Sequence, residues 1–299
     1  MGLLGGRAAV VTGAGWGLGS QIAFSMAYQG ARVVVNDSIP PENGKGAEYL
    51  VKEIKAKGGE AVLNTDVAAS WEGSQHIIQA ALDTFGRVDV LVNTADILND
   101  QIIASISEEQ WKTVLNAYLK SAFCCTRAAA PHMQKQKRGS LIHCISSAGL
   151  VGAIGKAHHG SATMAMVGFS RNVAIEMQRY AVTSNCIAHL TVPPLSCATS
   201  HDGEVQRKRR KQEDTITLSE VASLAVFLAS DAASTISGQI LGVRGKEIFL
   251  FSQPRIVRSI HHSQGWTVDG LTRMLEPAMK HYFTPLETSD SCFSWDPMV

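Results

Sequence analysis

The stretch TGAGWGLG at residues 12–19 sets Gly13, Gly17, Leu18 and Gly19 between an apolar run and a helical pattern. Glycines at that spacing permit a tight turn, let backbone approach a phosphate, and expose free helix N–H groups to it. Asp37 closes the next apolar run, VVVND. Its carboxylate suits a ribose diol and would repel a 2′-phosphate, so NAD is favoured over NADP. The alternative is that the glycines only pack a helix on a strand. Further on, KAHHGSATMAMVGFSR (156–171) opens a helix with His158 and His159. Imidazole titrates near 6.5 and can exchange protons at neutral pH without help, although a histidine there can also serve merely as a cap.

These residues need a scaffold, and the pattern along the chain supplies one. Short apolar runs at 7–11, 33–37, 61–66, 88–93, 140–146, 183–188 and 239–243 alternate with helical stretches at 21–29, 44–57, 70–85, 108–134, 159–180 and 218–230. Apolar strands alternating with amphipathic helices predict an α/β fold: a Rossmann-like, doubly wound parallel sheet of about seven strands with helices on both faces. The chain divides into a dinucleotide-binding and catalytic domain over 1–249 and a C-terminal extension over 250–299. That extension is expected to pack on its own domain or on a neighbouring subunit.

Composition narrows the classes. A net charge of +1 with 45% hydrophobic and 18% charged residues fits an ordinary globular enzyme and argues against nucleic acid or membrane as partner. The basic run Arg207–Lys211 is flanked by acidic Glu204, Glu213 and Asp214, and reads as a solvated loop. The six cysteines show no CxxC spacing and no metal cluster, which points to buried thiols in a cytoplasmic setting. No signal peptide or membrane span is expected.

The glycine turn, NTD ending at Asp66, VNTAD at 92–96, ISSAG at 145–149 and GSATMAMVGFSR together resemble the short-chain dehydrogenase/reductase family over about residues 5–245. VVVND and RAAAPHM (127–133) resemble its (3R)-hydroxyacyl-CoA dehydrogenase branch. The resemblance implies that Asp66 and Val67 flank an adenine and that Asn93 and Ala95 line the cofactor. It also implies a homodimer or homotetramer built on the helices around 108–134 and 159–180.

The same resemblance implies an Asn-Ser-Tyr-Lys tetrad, and most of it is changed here. Ser146 matches, His159 stands at the tyrosine position, Thr163 at the lysine position, and Tyr118, seven beyond Trp111, at the asparagine position. Asp96 replaces a glycine near the cofactor, and His189-Leu190 replaces a Pro-Gly. A tyrosine near pKa 10 needs a neighbouring cation to act at neutral pH, whereas imidazole does not, so the losses of tyrosine and lysine belong together. His159 as proton acceptor, with Ser146 and Tyr118 donating to an oxyanion, suits isomerisation, dehydration or cyclisation without net redox. The expected substrate is a hydrophobic carbonyl compound of specialised metabolism, given Leu150, Val151, Ile154 and Leu190 nearby. NAD is then bound structurally or not at all. Two other readings stay open: an NAD-dependent oxidoreductase with His159 as proton donor, and a non-catalytic partner of an active relative.

Overall fold

Runs of valine, alanine and isoleucine form the strands because both faces of the sheet are buried. The strands are β1 (Ala8–Thr12), β2 (Arg32–Asn36), β3 (Glu60–Asn64), β4 (Val90–Asn93), β5 (Gly139–Ser146), β6 (Val182–His189), β7 (Ile240–Arg244) and β8 (Glu247–Leu250). They lie in the order β3-β2-β1-β4-β5-β6-β7-β8. The computed structural model describes residues 2–39, 46–94, 100–190 and 218–294; Ala95, Asp96 and the loop 192–217 with its basic run lie outside them.

The side chains of one strand alternate between two cores. Val11, Val33 and Val35 meet Ile22 and Met26 of α1 (Gly17–Tyr28), Leu50 and Ile54 of α2 (Ala47–Ala56), and Val221 and Leu228 of α7 (218–228). Val10, Val34 and Leu91 meet Ile77 and Ile78 of α3 (Trp71–Phe85) on the other face. Ser70 caps α3 by accepting from the Gly73 N–H at 2.8 Å.

The expected fold class is the observed one, with two differences. There are eight strands, and the last runs antiparallel to β7 with Arg244 opposite Glu247. Gly245, at φ +54°, makes the two-residue reversal between them. The expected domain boundary at 249/250 therefore falls inside a strand. The expected single helix at 108–134 is also interrupted. It consists of α4 (Glu108–Leu115), a π turn over Asn116–Lys120, and α5 (Ser121–Gln136), which adds Cys125 and Met133 to the second core. The Ser121 hydroxyl donates back to the Ala117 and Tyr118 carbonyls across that turn. π turns inside helices often sit at functional sites, because they turn extra residues toward one face.

Helix α6 (Ala157–Met177) follows β5. Beyond β8 the chain carries α8 (Val268–Met279) and α9 (Ser289–Cys292). The extension returns to its own domain at its far end: the Ser289 N–H donates to the Gly152 carbonyl at 2.8 Å, and Phe293 packs on Phe249 with ring centroids 5.6 Å apart.

Candidate functional site

The C-terminal ends of parallel strands, where the strand order reverses, are where such sheets leave a crevice. Here a cavity of about 550 Å³ opens beside β1, β4 and β6, with the glycine turn at one end and Tyr118, Cys144 and His189 at the other.

The turn is built for close approach. Gly13 and Gly17 lie at φ +63° and +57°. A Cβ on Gly19 would stand 2.2 Å from the Gly13 carbonyl oxygen and 2.5 Å from Thr94 Oγ1. Among the described residues no side chain caps α1, and its first turn holds no acidic residue, which leaves its N–H groups open to an anion. Asp37 is buried on the cavity wall, accepting from the Gly15 N–H and the Ile39 N–H at 2.9 Å each. Two backbone donors leave further lone pairs on the carboxylate for a diol. Gly13, Gly17, Leu18, Gly19, Asp37 and Val67, the residues that the sequence singles out for a cofactor, all line the cavity. These residues fit the phosphates and adenosine ribose of a dinucleotide.

Two expected cofactor residues are engaged elsewhere. The Asp66 carboxylate accepts from Asn64 Nδ2 at 2.7 Å and contacts His76 at 3.2 Å, and it does not line the cavity. Asn93 is buried, its amide bonded to His143 Nδ1 at 3.1 Å; His143 continues to Ser184 at 3.3 Å, and Ser184 to Ser170 at 2.9 Å. Asn93 thus anchors a polar chain through β4, β5, β6 and α6. Ala95, the remaining expected residue, lies outside the described residues.

At the far end, the expected catalytic residues divide. Tyr118 lines the cavity from the π turn, its hydroxyl buried and without a hydrogen-bond partner among the described residues. Its ring meets His159 edge to face, with centroids 4.9 Å apart. His159 itself is buried and is not among the residues lining the cavity. Ser146 is not among them either; its Oγ accepts from the Ala148 N–H at 3.2 Å, capping the turn after β5. Thr163 is fully buried, its hydroxyl donating to the His159 and Gly160 carbonyls of its own helix at 3.0 and 3.2 Å. Lys156 is paired with Asp100 at 2.7 Å. Lys156 is thus committed to an ion pair, while Lys120, exposed, is the lysine among the described residues that lines the cavity.

Burial lowers the His159 pKa to about 4; Lys156, His189 and His158 push the same way and Asp100 opposes them. The expectation that His159 titrates near neutrality is thus corrected. It is a neutral imidazole through the physiological range, a weak acceptor comparable to a carboxylate. Sequence reading passed over the cavity residues Trp16, Asn116 and Lys120, and it noted His189 as a replacement without giving it a role in the site. The signal for His189 was available, since a histidine closes a buried parallel strand where the resemblance puts proline.

These shifts give a pH prediction. His143, fully buried, is likewise held at about 4 by desolvation. Both folded pKa values lie below the ordinary 6.5, so the unfolded chain takes up protons first as pH falls. Stability is full above about pH 6.5 and declines as pH drops toward 4, by up to about 3 kcal/mol for each histidine. Urea midpoints measured from pH 7 to pH 4 should fall steeply, and His143→Asn should flatten the slope. A pH-independent midpoint would contradict the burial of both rings.

A family model described as enoyl-(acyl carrier protein) reductase matches residues 13–245. A peroxisomal multifunctional enzyme type 2 of Drosophila melanogaster is 43% identical over 187 residues, covering 61% of this chain and 31% of that protein. The chain thus spans about a third of that relative's length. A 3-oxoacyl-[acyl-carrier-protein] reductase of Synechocystis is 35% identical over 244 residues, covering 80% of this chain and 96% of that one. A solved short chain dehydrogenase from Mycobacterium avium superposes with a TM-score of 0.84 at 32% identity, covering 96% of this chain and 99% of that one. The first 249 residues alone could not reach that share, so the likeness extends into the C-terminal extension.

Proposed function

The chain belongs to the short-chain dehydrogenase/reductase family, and from that premise we propose that it is an enzyme whose altered site moves protons on an acyl carbonyl compound without net hydride transfer. One observation carries this reading. At position 163, where the family's lysine would grip the nicotinamide ribose, a fully buried threonine spends its hydroxyl on its own helix. The titratable side chains lining the cavity there include Tyr118, Lys120, Cys144 and His189, and His159, packed on the Tyr118 ring, is neutral at physiological pH.

NAD supplies hydride chemistry in the family when bound; here the cradle of Gly13, Gly17, Gly19 and Asp37 supports binding it, with NAD favoured over NADP. The chain's own residues support enolisation. A neutral imidazole accepts a proton from the carbon next to a carbonyl while the Tyr118 hydroxyl donates to the oxygen. Returning the proton elsewhere gives isomerisation, and loss of a neighbouring hydroxide gives dehydration.

The relatives named above are acyl-carrier-protein and peroxisomal enzymes, which supports an acyl thioester as the substrate class in place of a compound of specialised metabolism. A homodimer or homotetramer through α4–α5 and α6 remains our proposal, supported by exposed Phe123, Met164 and Ile175. Among the described residues no helix is long and apolar enough to cross a membrane. Buried thiols at Cys124, Cys125 and Cys186 support a reducing compartment, the cytoplasm in our reading.

A second reading, NAD-dependent oxidation and reduction of hydroxy- and keto-acyl thioesters, is favoured by the cradle itself. One experiment separates the two. The protein is incubated in D₂O with NAD or NADH and a panel of enoyl, 3-hydroxyacyl and 3-oxoacyl thioesters. The expected result is deuterium at the α-carbon, or shift or loss of the double bond, with constant nicotinamide absorbance. Steady consumption of NADH with turnover would establish the second reading and sink the first.

A further inference from the structure

Three large apolar side chains stand in the open around one buried carboxylate. Trp16, Ile39 and Val67 are 62%, 55% and 52% exposed, and all three line the cavity together with Asp37, which is 7% exposed. Backbone bonds hold them there. The Gly15 N–H, one residue before Trp16, donates to Asp37 Oδ2, and the Ile39 N–H donates to Oδ1, each at 2.9 Å. Asn36, next to Asp37, donates through Nδ2 to the Asp66 carbonyl at 2.9 Å, which brings Val67 alongside.

Local structure does not account for Trp16. It precedes α1 with extended backbone (φ −158°, ψ 174°), an N-cap position that ordinarily goes to serine, threonine, aspartate or asparagine. Its indole meets no other ring and no hydrogen-bond partner among the described residues. Single exposed apolar residues are ordinary, but three converging on one cavity form a surface for a ligand.

Asp37 selects which ligand. Its free lone pairs suit a ribose diol, and the base of such a sugar hangs from C1′, next to the diol carbons. A purine attached there has flat faces for an indole to stack on. The resemblance gives the adenine to Asp66 and Val67, yet the Asp66 carboxylate is held by Asn64 and His76 away from the cavity. Trp16 and Ile39 supply the missing contact.

We propose that Trp16 is the stacking residue for the purine of a bound dinucleotide, with Ile39 and Val67 completing an apolar slot beside the Asp37-bound ribose. This rests on reading the cavity as a dinucleotide cradle. The binding energy of the slot belongs to the adenosine half, so ADP-ribose, which lacks the nicotinamide, is sufficient to engage it.

The test titrates the intact protein with ADP-ribose, followed by tryptophan fluorescence and by calorimetry. ADP-ribose is expected to quench the wild-type emission. Trp16→Leu should abolish the quench and weaken ADP-ribose on the order of tenfold, while Trp16→Phe, which keeps a stacking face, recovers most of the affinity. The exposure of Trp16 lets both variants fold, and equal thermal midpoints would verify that. If Trp16→Leu binds ADP-ribose as the wild type does, or if Trp16→Phe binds as weakly as Trp16→Leu, the stacking role is overturned and the cradle stands. If the wild type binds neither ADP-ribose nor NAD, both fall together.

Discussion

Gly19→Ala is expected to lower NAD affinity roughly 100-fold and to destabilise the fold, the larger of the two effects we expect at the cradle. The added methyl would lie 2.2 Å from the Gly13 carbonyl oxygen and 2.5 Å from Thr94 Oγ1. Neither neighbour can retreat. The first is backbone of the turn itself, and the second is pinned by its 2.6 Å bond to the Thr12 carbonyl. Relief must therefore come from moving the start of α1 away from β1, which takes the open N–H groups away from the phosphates. Gly17→Ala is the informative contrast. Nothing lies within 4 Å of a Cβ there, and only the positive φ opposes the change. A single left-handed residue costs about 1–2 kcal/mol, so Gly17→Ala should bind NAD more weakly yet measurably. Calorimetric titration with NAD, beside thermal unfolding, reads both. Unchanged affinity in Gly19→Ala would mean that the nucleotide does not sit on this turn.

The cradle was legible in the sequence because backbone requirements write themselves as glycine. Few other residues tolerate Gly13's dihedrals or the approach at Gly19, and the flanking strand and helix follow from periodicity alone. The sheet was legible for a similar reason, since strands buried on both faces must be apolar throughout. β8 escaped because the short apolar run Ile248–Phe251 follows β7 after only a two-residue turn, and its Ile248 and Leu250 are exposed, unlike the strands buried on both faces. The π turn escaped because 108–134 carries a continuous helical pattern, and no glycine or proline marks the break at Asn116–Lys120. Yet that turn brings Asn116, Tyr118, Lys120 and Ser121 to the cavity together.

Polar partners were the least legible feature. Asp66 and Asn93 sit where the resemblance puts cofactor residues, but which acceptor or donor a side chain meets depends on tertiary neighbours. Asp66 meets Asn64 and His76, and Asn93 meets His143. The pKa of His159 is of the same kind. Its residue type suggests titration near neutrality, and only burial on the folded chain moves it to about 4.

Whether the site was rebuilt or merely lost its lysine is answered by putting the lysine back. Thr163→Lys is expected to destabilise the protein by about 3–5 kcal/mol, the penalty for a buried charge left without a partner. Thr163 has no exposure to solvent and does not line the cavity. Its hydroxyl lies under Gly149, where even a Cβ on the glycine would come within 2.3 Å of it. A four-carbon stem with an ammonium would have to displace the 3-10 turn Ser147–Gly149 or push α6 off β5. The nearby charges do not compensate: Asp100 is already paired with Lys156, and His159 and His189 are held toward their neutral forms by burial. Adding His159→Tyr should not rescue hydride transfer, because the lysine cannot reach a nicotinamide ribose from a closed seat. Urea unfolding of Thr163→Lys and of the double variant, with NADH turnover on 3-oxoacyl thioesters, tests this directly. A double variant as stable as the parent that turns over NADH would show that the seat is open, and that the chain is a dehydrogenase short of one lysine.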